Sequence, residues 1–152
     1  MRAITIRQPW AELIVRGDKG ATGAYRVTLW SVLVQQFSLS IGDTIYPDHP
    51  GKGAGKIEVP GDQDHYAFTA RKGQRVYLHV EGCPSSGDLY WTLLSPTPEA
   101  AFPKAVFKYE PLCLSGSGYD QSPRALQGGR YQLIVRGANG ATGAYRVKIQ
   151  SR

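Results

Sequence analysis

Short runs of apolar residues that alternate with more polar ones recur along the chain. In the runs 76–81 and 89–94, every second residue is Val, Leu or Trp. A β-strand points successive side chains to opposite faces, so this period of two predicts strands with one buried face. Glycine and proline, 18 and 10 of the 152 residues, separate these runs with turns. We therefore predict an all-β fold, a β-sandwich of about eight or nine short strands.

The composition suits one packed domain. Hydrophobic residues make up 41% of the chain, enough to fill a core, and 152 residues fit a single domain. No apolar run approaches the roughly 18 residues that a membrane-spanning helix needs. The first 17 residues contain basic side chains but no continuous apolar stretch of the kind found in signal peptides. We expect neither a membrane span nor a signal peptide in this sequence.

The formal net charge of +6 is unevenly distributed. Residues 101–152 carry eight Lys or Arg against two acidic residues, whereas residues 31–100 carry five against eight. A basic field can attract nucleic acid or an anionic surface. Here the basic residues are isolated, as Arg130 and Arg136 are, and they alternate with apolar positions. Because this pattern is typical of the solvent face of a strand, we do not expect nucleic acid binding.

An internal repeat indicates the domain organisation. Residues 13–27 return at 133–147, with 13 of 15 positions identical at an offset of 120 residues. Each copy has the pattern of a strand, a glycine-rich turn and a second strand. An offset of this size fits a whole domain, so we predict a tandem array in which 1–32 ends with the last hairpin of a preceding module and 33–152 forms the next module. The hairpin at 13–32 is then a candidate for self-association at an open sheet edge.

The sequence offers few groups for catalysis. It contains neither a Gly-x-Ser-x-Gly elbow nor a complete phosphate-binding P-loop. His65 and His79 alternate with apolar residues on predicted strands, and His49 lies in a loop rich in Pro and Gly, so we expect all three on the solvent side. The glycine-rich stretch 51–55 has no helix after it that could complete a phosphate site. We predict no catalytic residue and no bound cofactor.

Acidic residues cluster at two predicted turns. Asp62 and Asp64 lie beside a glycine, and Asp43 and Asp48 flank another turn. Carboxylates and loop carbonyls can bind Ca²⁺, but aspartates at turns more often cap backbone amides. We predict turn capping by Asp62 and Asp64, and no metal site.

Tyrosines provide candidate contact residues. An aromatic side chain on the face of a sandwich can bind a glycan or a fibrous protein, although cross-strand packing uses the same residues. The candidates for exposure are Tyr46, Tyr77, Tyr90, Tyr109 and Tyr119.

The order of several segments resembles the bacterial pre-peptidase C-terminal (PPC) domain. These segments are 41–45, 53–70, 72–78, 89–96 and 128–137, so that the resemblance covers roughly 35–152. It implies a jelly-roll-like antiparallel β-sandwich in a secreted or cell-surface protein. It also implies a non-catalytic module that accompanies a protease or other enzyme, or stands in an array. We expect a binding module whose partner is an extracellular matrix, a polysaccharide or the parent enzyme.

The two cysteines fit an extracellular module of this kind. Cys83 follows a predicted core strand, and Cys113 lies between two leucines thirty residues later. Given the resemblance, we predict a disulfide between them; two buried thiols in a cytosolic protein are the alternative. Neither a Cys-x-x-Cys pair nor a histidine-rich cluster indicates zinc.

A second, shorter resemblance points to a different class. Residues 4–19 are similar to the opening strand and helix of an ASCH domain, a small β-barrel associated with RNA. Lys19 and Thr22 match the Lys-x-x-Thr spacing of ASCH-type amidohydrolases, but Thr22 also has its counterpart in Thr142 of the repeat. An ASCH-like RNA-binding or amidohydrolase domain is therefore the alternative function.

Overall fold

The computed structural model describes residues 22–28, 31–83, 88–95, 105–112, 119–120 and 124–152. Within these ranges the chain forms twelve β-strands and no helix. The strands are β1 (Val34–Ser38), β2 (Thr44–Ile45), β3 (Lys56–Ile57), β4 (Gln63–Ala70), β5 (Arg75–Gly82), β6 (Leu89–Leu94), β7 (Ala105–Pro111), β8 (Tyr119–Asp120), β9 (Arg124–Ala125), β10 (Gly129–Gly137), β11 (Gly143–Ala144) and β12 (Arg146–Ser151).

The strands form two larger sheets and one short pair. The first sheet has the order β1-β4-β10-β6-β7, and the second has the order β2-β12-β5-β8, with β9 also paired to β5. The short pair joins β11 to β3. All pairings between strands are antiparallel except that of β1, which lies parallel to β4 at one edge of the first sheet.

The core lies between the two sheets. In β4 and β10, alternate residues are buried, as the period of two predicts. Leu133 of the first sheet and Ile149 of the second line the same small cavity of about 20 Å³, so their sheets pack face to face. The cavity has room for about one water molecule and is too small for an organic ligand. This cavity is therefore not a candidate site for an organic ligand.

The predicted all-β, sandwich-like fold is confirmed. The number of strands exceeds the expected eight or nine because several are two-residue pairings at loop ends, which a window of alternation cannot detect. The parallel pairing of β1 was not expected from the antiparallel prediction. Jelly-roll connectivity stays a prediction, as does the division into 1–32 and 33–152.

The two copies of the repeat differ in structure. The second copy, from residue 133 onward, supplies the end of β10, all of β11 and the start of β12. In the first copy, residues 22–28 form no strand and are exposed, so the predicted second strand of the 13–32 hairpin is absent at these residues. Residues 13–21 and 29–30 lie outside the described residues. Self-association through this hairpin stays a prediction.

The ASCH-like segment 4–19 also lies outside the described residues, so that alternative stays untested. In the part of the chain that the structure describes, no helix has the length and apolar character needed to cross a membrane.

Cys83 lies directly after β5 and is half-buried against the core. Its sulfur is 3.8 Å from the carbonyl oxygen of Leu112, the residue that precedes Cys113 in the sequence. Cys113 itself lies outside the described residues, so its bond with Cys83 stays a prediction. The position of Leu112 shows that the chain passes close to Cys83 one residue before Cys113.

Alkylation of the native protein, followed by intact-mass measurement, tests this pairing. We expect both cysteines to resist alkylation until a reductant is added, and digestion to release a peptide joined through Cys83 and Cys113. Reduction should lower the free energy of unfolding by about 2–5 kcal/mol, as for other disulfides in small domains. A Cys83→Ser/Cys113→Ser variant should be insensitive to reductant. Alkylation of both residues in the unreduced, folded protein would contradict the prediction.

Candidate binding loop and its buried anchor

A compact loop, residues 46–55, connects β2 to β3. Its first turn is closed by two backbone hydrogen bonds, in which the Tyr46 and His49 amides each donate to the other residue's carbonyl oxygen over 3.3 and 2.9 Å. The Asp48 amide donates to the Ala54 carbonyl oxygen over 2.9 Å, which draws the two ends of the loop together. Hydrogen bonds within the 46–55 loop therefore define its backbone conformation.

Local residue chemistry explains this path. Asp48 has a φ of 63°, a region that Asp tolerates better than most residues. Its Oδ1 accepts a hydrogen bond of 2.9 Å from the Gly53 amide. Gly53 and Gly55 also have positive φ, at 88° and 72°, and a Cβ at Gly55 would collide with the Tyr46 carbonyl group. These positions therefore require glycine.

The same bonds account for the glycine-rich stretch 51–55. The Gly53 amide donates to Asp48, and the Gly55 amide donates to the Tyr66 hydroxyl over 2.8 Å. Two amides that a phosphate cradle would need are thus already used within the protein. These contacts give the stretch a structural role in closing the loop.

The outer face of the 46–55 loop presents an aromatic pair. The rings of Tyr46 and His49 stack with centroids 4.6 Å apart and planes 8° apart, and Tyr46 is 38% exposed. The Arg146 guanidinium lies 5.2 Å from the centroid of the Tyr46 ring, within the range of a cation–π contact. Arg146 is also paired with Glu81, whose Oε2 is 2.5 Å from its Nε. The result is an exposed surface of two rings and one cation.

The loop ends on a buried cluster of one carboxyl group and two tyrosines, Asp64, Tyr66 and Tyr145. Asp64 Oδ2 accepts hydrogen bonds from the Tyr145 hydroxyl over 2.5 Å and from the Tyr66 hydroxyl over 3.1 Å. The two hydroxyl oxygens are 2.8 Å apart. Since Tyr66 also accepts from the Gly55 amide, the cluster holds the end of the 46–55 loop. We refer to these three residues as the buried anchor.

Burial dominates the electrostatics of the buried anchor. Removal from water raises the pKa of Asp64 to about 6, although hydrogen bonds from the two tyrosines and from the Lys56 and Gly55 backbone act in the opposite direction. Burial also raises the pKa of Tyr66 and of Tyr145, so both hydroxyls keep their protons at neutral pH. With Asp64 only 1% exposed, the cluster is closed to a substrate and acts as a structural tie.

The two aspartates predicted to cap turns have different roles. Asp62 does cap its turn, since its Oδ2 accepts from the Val59 amide over 3.1 Å. Its Oδ1 accepts from the Leu33 amide over 2.8 Å, which also fixes the chain before β1. Asp64 lies in β4 and accepts from the backbone of Gly55 and Lys56 at the end of the 46–55 loop, so the prediction that it caps its own neighbouring turn is wrong. Among the described residues no group of three or more His, Cys, Asp or Glu is placed to hold a metal ion.

The histidines have polar or aromatic partners. His49 is exposed in the loop, as expected, whereas His65 and His79 are half-buried. Hydrogen bonds join the ring nitrogens of His65 to the side chains of Gln63 and Gln132, over 3.0 and 3.2 Å, and burial lowers its pKa.

Of the candidate tyrosines, Tyr46 is the one whose side chain the structure describes as exposed. Tyr77 and Tyr90 are half-buried, and the Tyr77 hydroxyl bonds to Gln150. The side chains of Tyr109 and Tyr119 lie outside the described residues.

Sequence reasoning missed the buried anchor, although a signal for it was present. Asp64 shares the strand face of Tyr66 and Phe68 by the period of two, which places a carboxyl group among core aromatics.

The raised pKa of Asp64 predicts how stability depends on pH. Between the unfolded pKa of 3.8 and the folded pKa of about 6, the folded protein binds more protons than the unfolded chain. The favourable contribution of protonated Asp64 to the free energy of unfolding is therefore complete below about pH 4 and is lost as the pH rises through 6. The shift corresponds to roughly 3 kcal/mol.

Urea unfolding at intervals from pH 4 to pH 7 measures this effect. In Asp64→Asn, which keeps the shape and an acceptor oxygen, we expect this component of the pH dependence to disappear. The free energy of unfolding of the wild type, minus that of Asp64→Asn, should decrease as the pH rises from 4 to 7. A difference that stays constant with pH would show that Asp64 does not titrate as described.

Comparisons with known proteins concern the fold. No protein-family model matches the sequence, and no curated protein matches it. A periplasmic inhibitor of g-type lysozyme, PliG from Aeromonas hydrophila, is similar in structure, with a TM-score of 0.54 and 14% identity over 80% of this chain and 100% of that one. The pre-peptidase C-terminal domain of the Bacillus anthracis collagenase gives a TM-score of 0.53 and 15% identity over 81% of this chain and 100% of that one. The chain thus shares the fold of a PPC domain, as the resemblance implied.

Proposed function

We propose that this protein is a non-catalytic binding module of a secreted or cell-surface bacterial protein. Its contact surface is the exposed Tyr46–His49 pair on the 46–55 loop, together with Arg146. The partner belongs to one of three classes: an extracellular matrix protein, a polysaccharide or the enzyme to which the module is attached. The single observation that carries the proposal is an exposed aromatic pair on a loop that the buried anchor holds rigid.

Rigidity is what makes this surface suitable for binding. An aromatic ring offers a large contact area for few rotatable bonds, so it loses little entropy when a partner covers it. A flexible loop would have to be ordered on binding, at a cost in affinity. In the 46–55 loop that ordering is complete beforehand, because Asp48, Gly53 and Gly55 are bonded within the protein.

The surface also contains groups that can select a partner. Tyr46 and Arg146 both belong to the residue types that dominate binding energy at protein interfaces. The hydroxyl of Tyr46 and the part of its ring that His49 and Arg146 leave uncovered can also contact a sugar. The geometry therefore suits a protein or a glycan partner.

The contacts of the titratable residues support a role without catalysis. His49 is stacked on Tyr46, and His65 is bonded to two glutamine side chains. Asp64, the residue with the raised carboxyl pKa, is buried away from any substrate.

The structural neighbours support an extracellular setting. One is a periplasmic protein that inhibits g-type lysozyme, and the other is a domain of a collagenase. Both proteins are connected with an enzyme, one as its inhibitor and one as part of its chain. An attached enzyme is therefore one of the three partner classes.

Binding to defined insoluble probes tests the proposal. We would measure co-sedimentation of the protein with type I collagen fibres, peptidoglycan and cellulose. Against the probe that retains the wild type, Tyr46→Ala should bind about tenfold or more weakly, the loss typical of a central aromatic contact. Tyr25→Ala is the matched control, because Tyr25 is 71% exposed and lies outside the loop.

Both variants should remain folded. Tyr46→Ala should unfold within about 4 °C of the wild type, because it loses only the exposed ring contacts with His49 and Arg146, so that a loss of binding reports the surface. Equal retention of Tyr46→Ala and wild type, or an equal loss in Tyr25→Ala, would contradict the proposed site. Failure of the wild type to bind any of the three probes would contradict matrix and polysaccharide binding as tested.

A further inference from the structure

Eight consecutive residues, 20–27, recur with identical sequence at 140–147, and the structure describes six of them in both copies. Thr-Gly-Ala-Tyr-Arg-Val stands at 22–27 and again at 142–147. The second copy is built into the fold: Gly143 pairs with Ile57 of β3, and Val147 pairs with Ile45 of β2 and Val80 of β5. The first copy, which we call the donor segment, forms no strand.

The environments of the matching side chains differ greatly. Tyr145 and Val147 are 2% and 0% exposed, whereas Tyr25 and Val27 are 71% and 47% exposed. An exposed tyrosine and valine on an unpaired segment gain free energy from any site that buries them. The place of residues 142–147 is such a site, and it is already shaped for these six side chains.

The contacts of that site are specific for the shared sequence. It offers Asp64 and Tyr66 to a tyrosine hydroxyl, and it leaves an apolar place for the valine two residues later. Since 22–27 has the same residues in the same order, it can make each of these contacts without a change of side chain.

We propose that the donor segment, residues 22–27, occupies the place of residues 142–147 in a second copy of this chain. In that second copy, which we call the acceptor, residues 142–147 must first detach from their place in the fold. Wild type therefore remains mostly monomeric, and the exchange becomes visible when the acceptor's own copy is weakened. The contact is an exchange of equivalent strands between chains, related to domain swapping.

Chain geometry favours a second copy over the donor's own chain. β12 runs from Arg146 towards Arg152, whose amide bonds to Arg75 beyond the turn that follows β4. Leu33 is bonded to Asp62 at the opposite, starting end of β4. A chain with Thr28 in the place of Lys148 would have to reverse and return to Leu33 through only four residues. Insertion into another molecule leaves the bond between Leu33 and Asp62 intact.

Three full-length variants test the exchange. Val147→Asp places a charge at a fully buried position and disables the chain's own strand. Val27→Asp disables the donor segment at an exposed position, so its own fold is unaffected. The double variant Val27→Asp/Val147→Asp lacks both usable copies. Each would be studied by light scattering on a sizing column and by thermal unfolding at several protein concentrations.

We expect Val147→Asp to be folded and dimeric, with an unfolding temperature that rises with protein concentration. Val27→Asp should behave as a wild-type monomer, and the double variant should be unfolded. The matched control is Thr28→Asp/Val147→Asp, in which the new charge falls on the position equivalent to half-buried Lys148. It should retain the dimer, with a dissociation constant within about tenfold of that of Val147→Asp.

Two results would overturn the proposal. If Val147→Asp is as unfolded as the double variant, the donor segment does not replace residues 142–147. If Val147→Asp is a folded monomer that loses its fold when Val27→Asp is added, the replacement occurs within one chain and not between copies.

Discussion

A carboxyl group buried with two tyrosine hydroxyls is the interaction on which the described site depends. Asp64 would be costly in a dry interior without donors, and two tyrosine hydroxyls supply them. Those hydroxyls come from β4 and from the residue before β12, so the cluster can form only when both sheets are in place. The Gly55 amide, bonded to Tyr66, adds the end of the 46–55 loop to the same network.

The loop takes its functional character from this connection. A ten-residue connection rich in glycine would otherwise sample many conformations. With Gly55 fixed by Tyr66 and Gly53 fixed by Asp48, the loop holds Tyr46 and His49 in a stacked pair at the surface. The module thus presents a preformed contact surface, while the cavity described between its sheets has space for about one water molecule.

The sequence predicted the long strands and missed what depends on distant contacts. Alternation identified β5 and β6, because each buries every second residue over six positions. It assigned Asp64 to a turn from its neighbours, whereas the structure pairs Asp64 with Tyr145, 81 residues away. The repeat shows the same limit most directly. Identical residues at 22–27 and 142–147 have different structures, since only the second copy has Asp64 and Tyr66 as partners in the same chain. Tertiary context therefore decided what local pattern could not.

The hydrogen-exchange rate of the Gly55 amide measures the strength of the hydrogen bond that joins the 46–55 loop to the buried anchor. In wild type we expect this amide to be protected, because it donates to a buried hydroxyl. Tyr66→Phe keeps the ring and removes the hydroxyl acceptor, leaving Asp64 as the second acceptor of the Gly55 backbone, so exchange at Gly55 should accelerate by about threefold or more, with the amides of Asp48 and Gly53 following. Amides in the middle of β10 should change far less. An unprotected Gly55 amide in wild type, or an unchanged rate in Tyr66→Phe, would contradict the account.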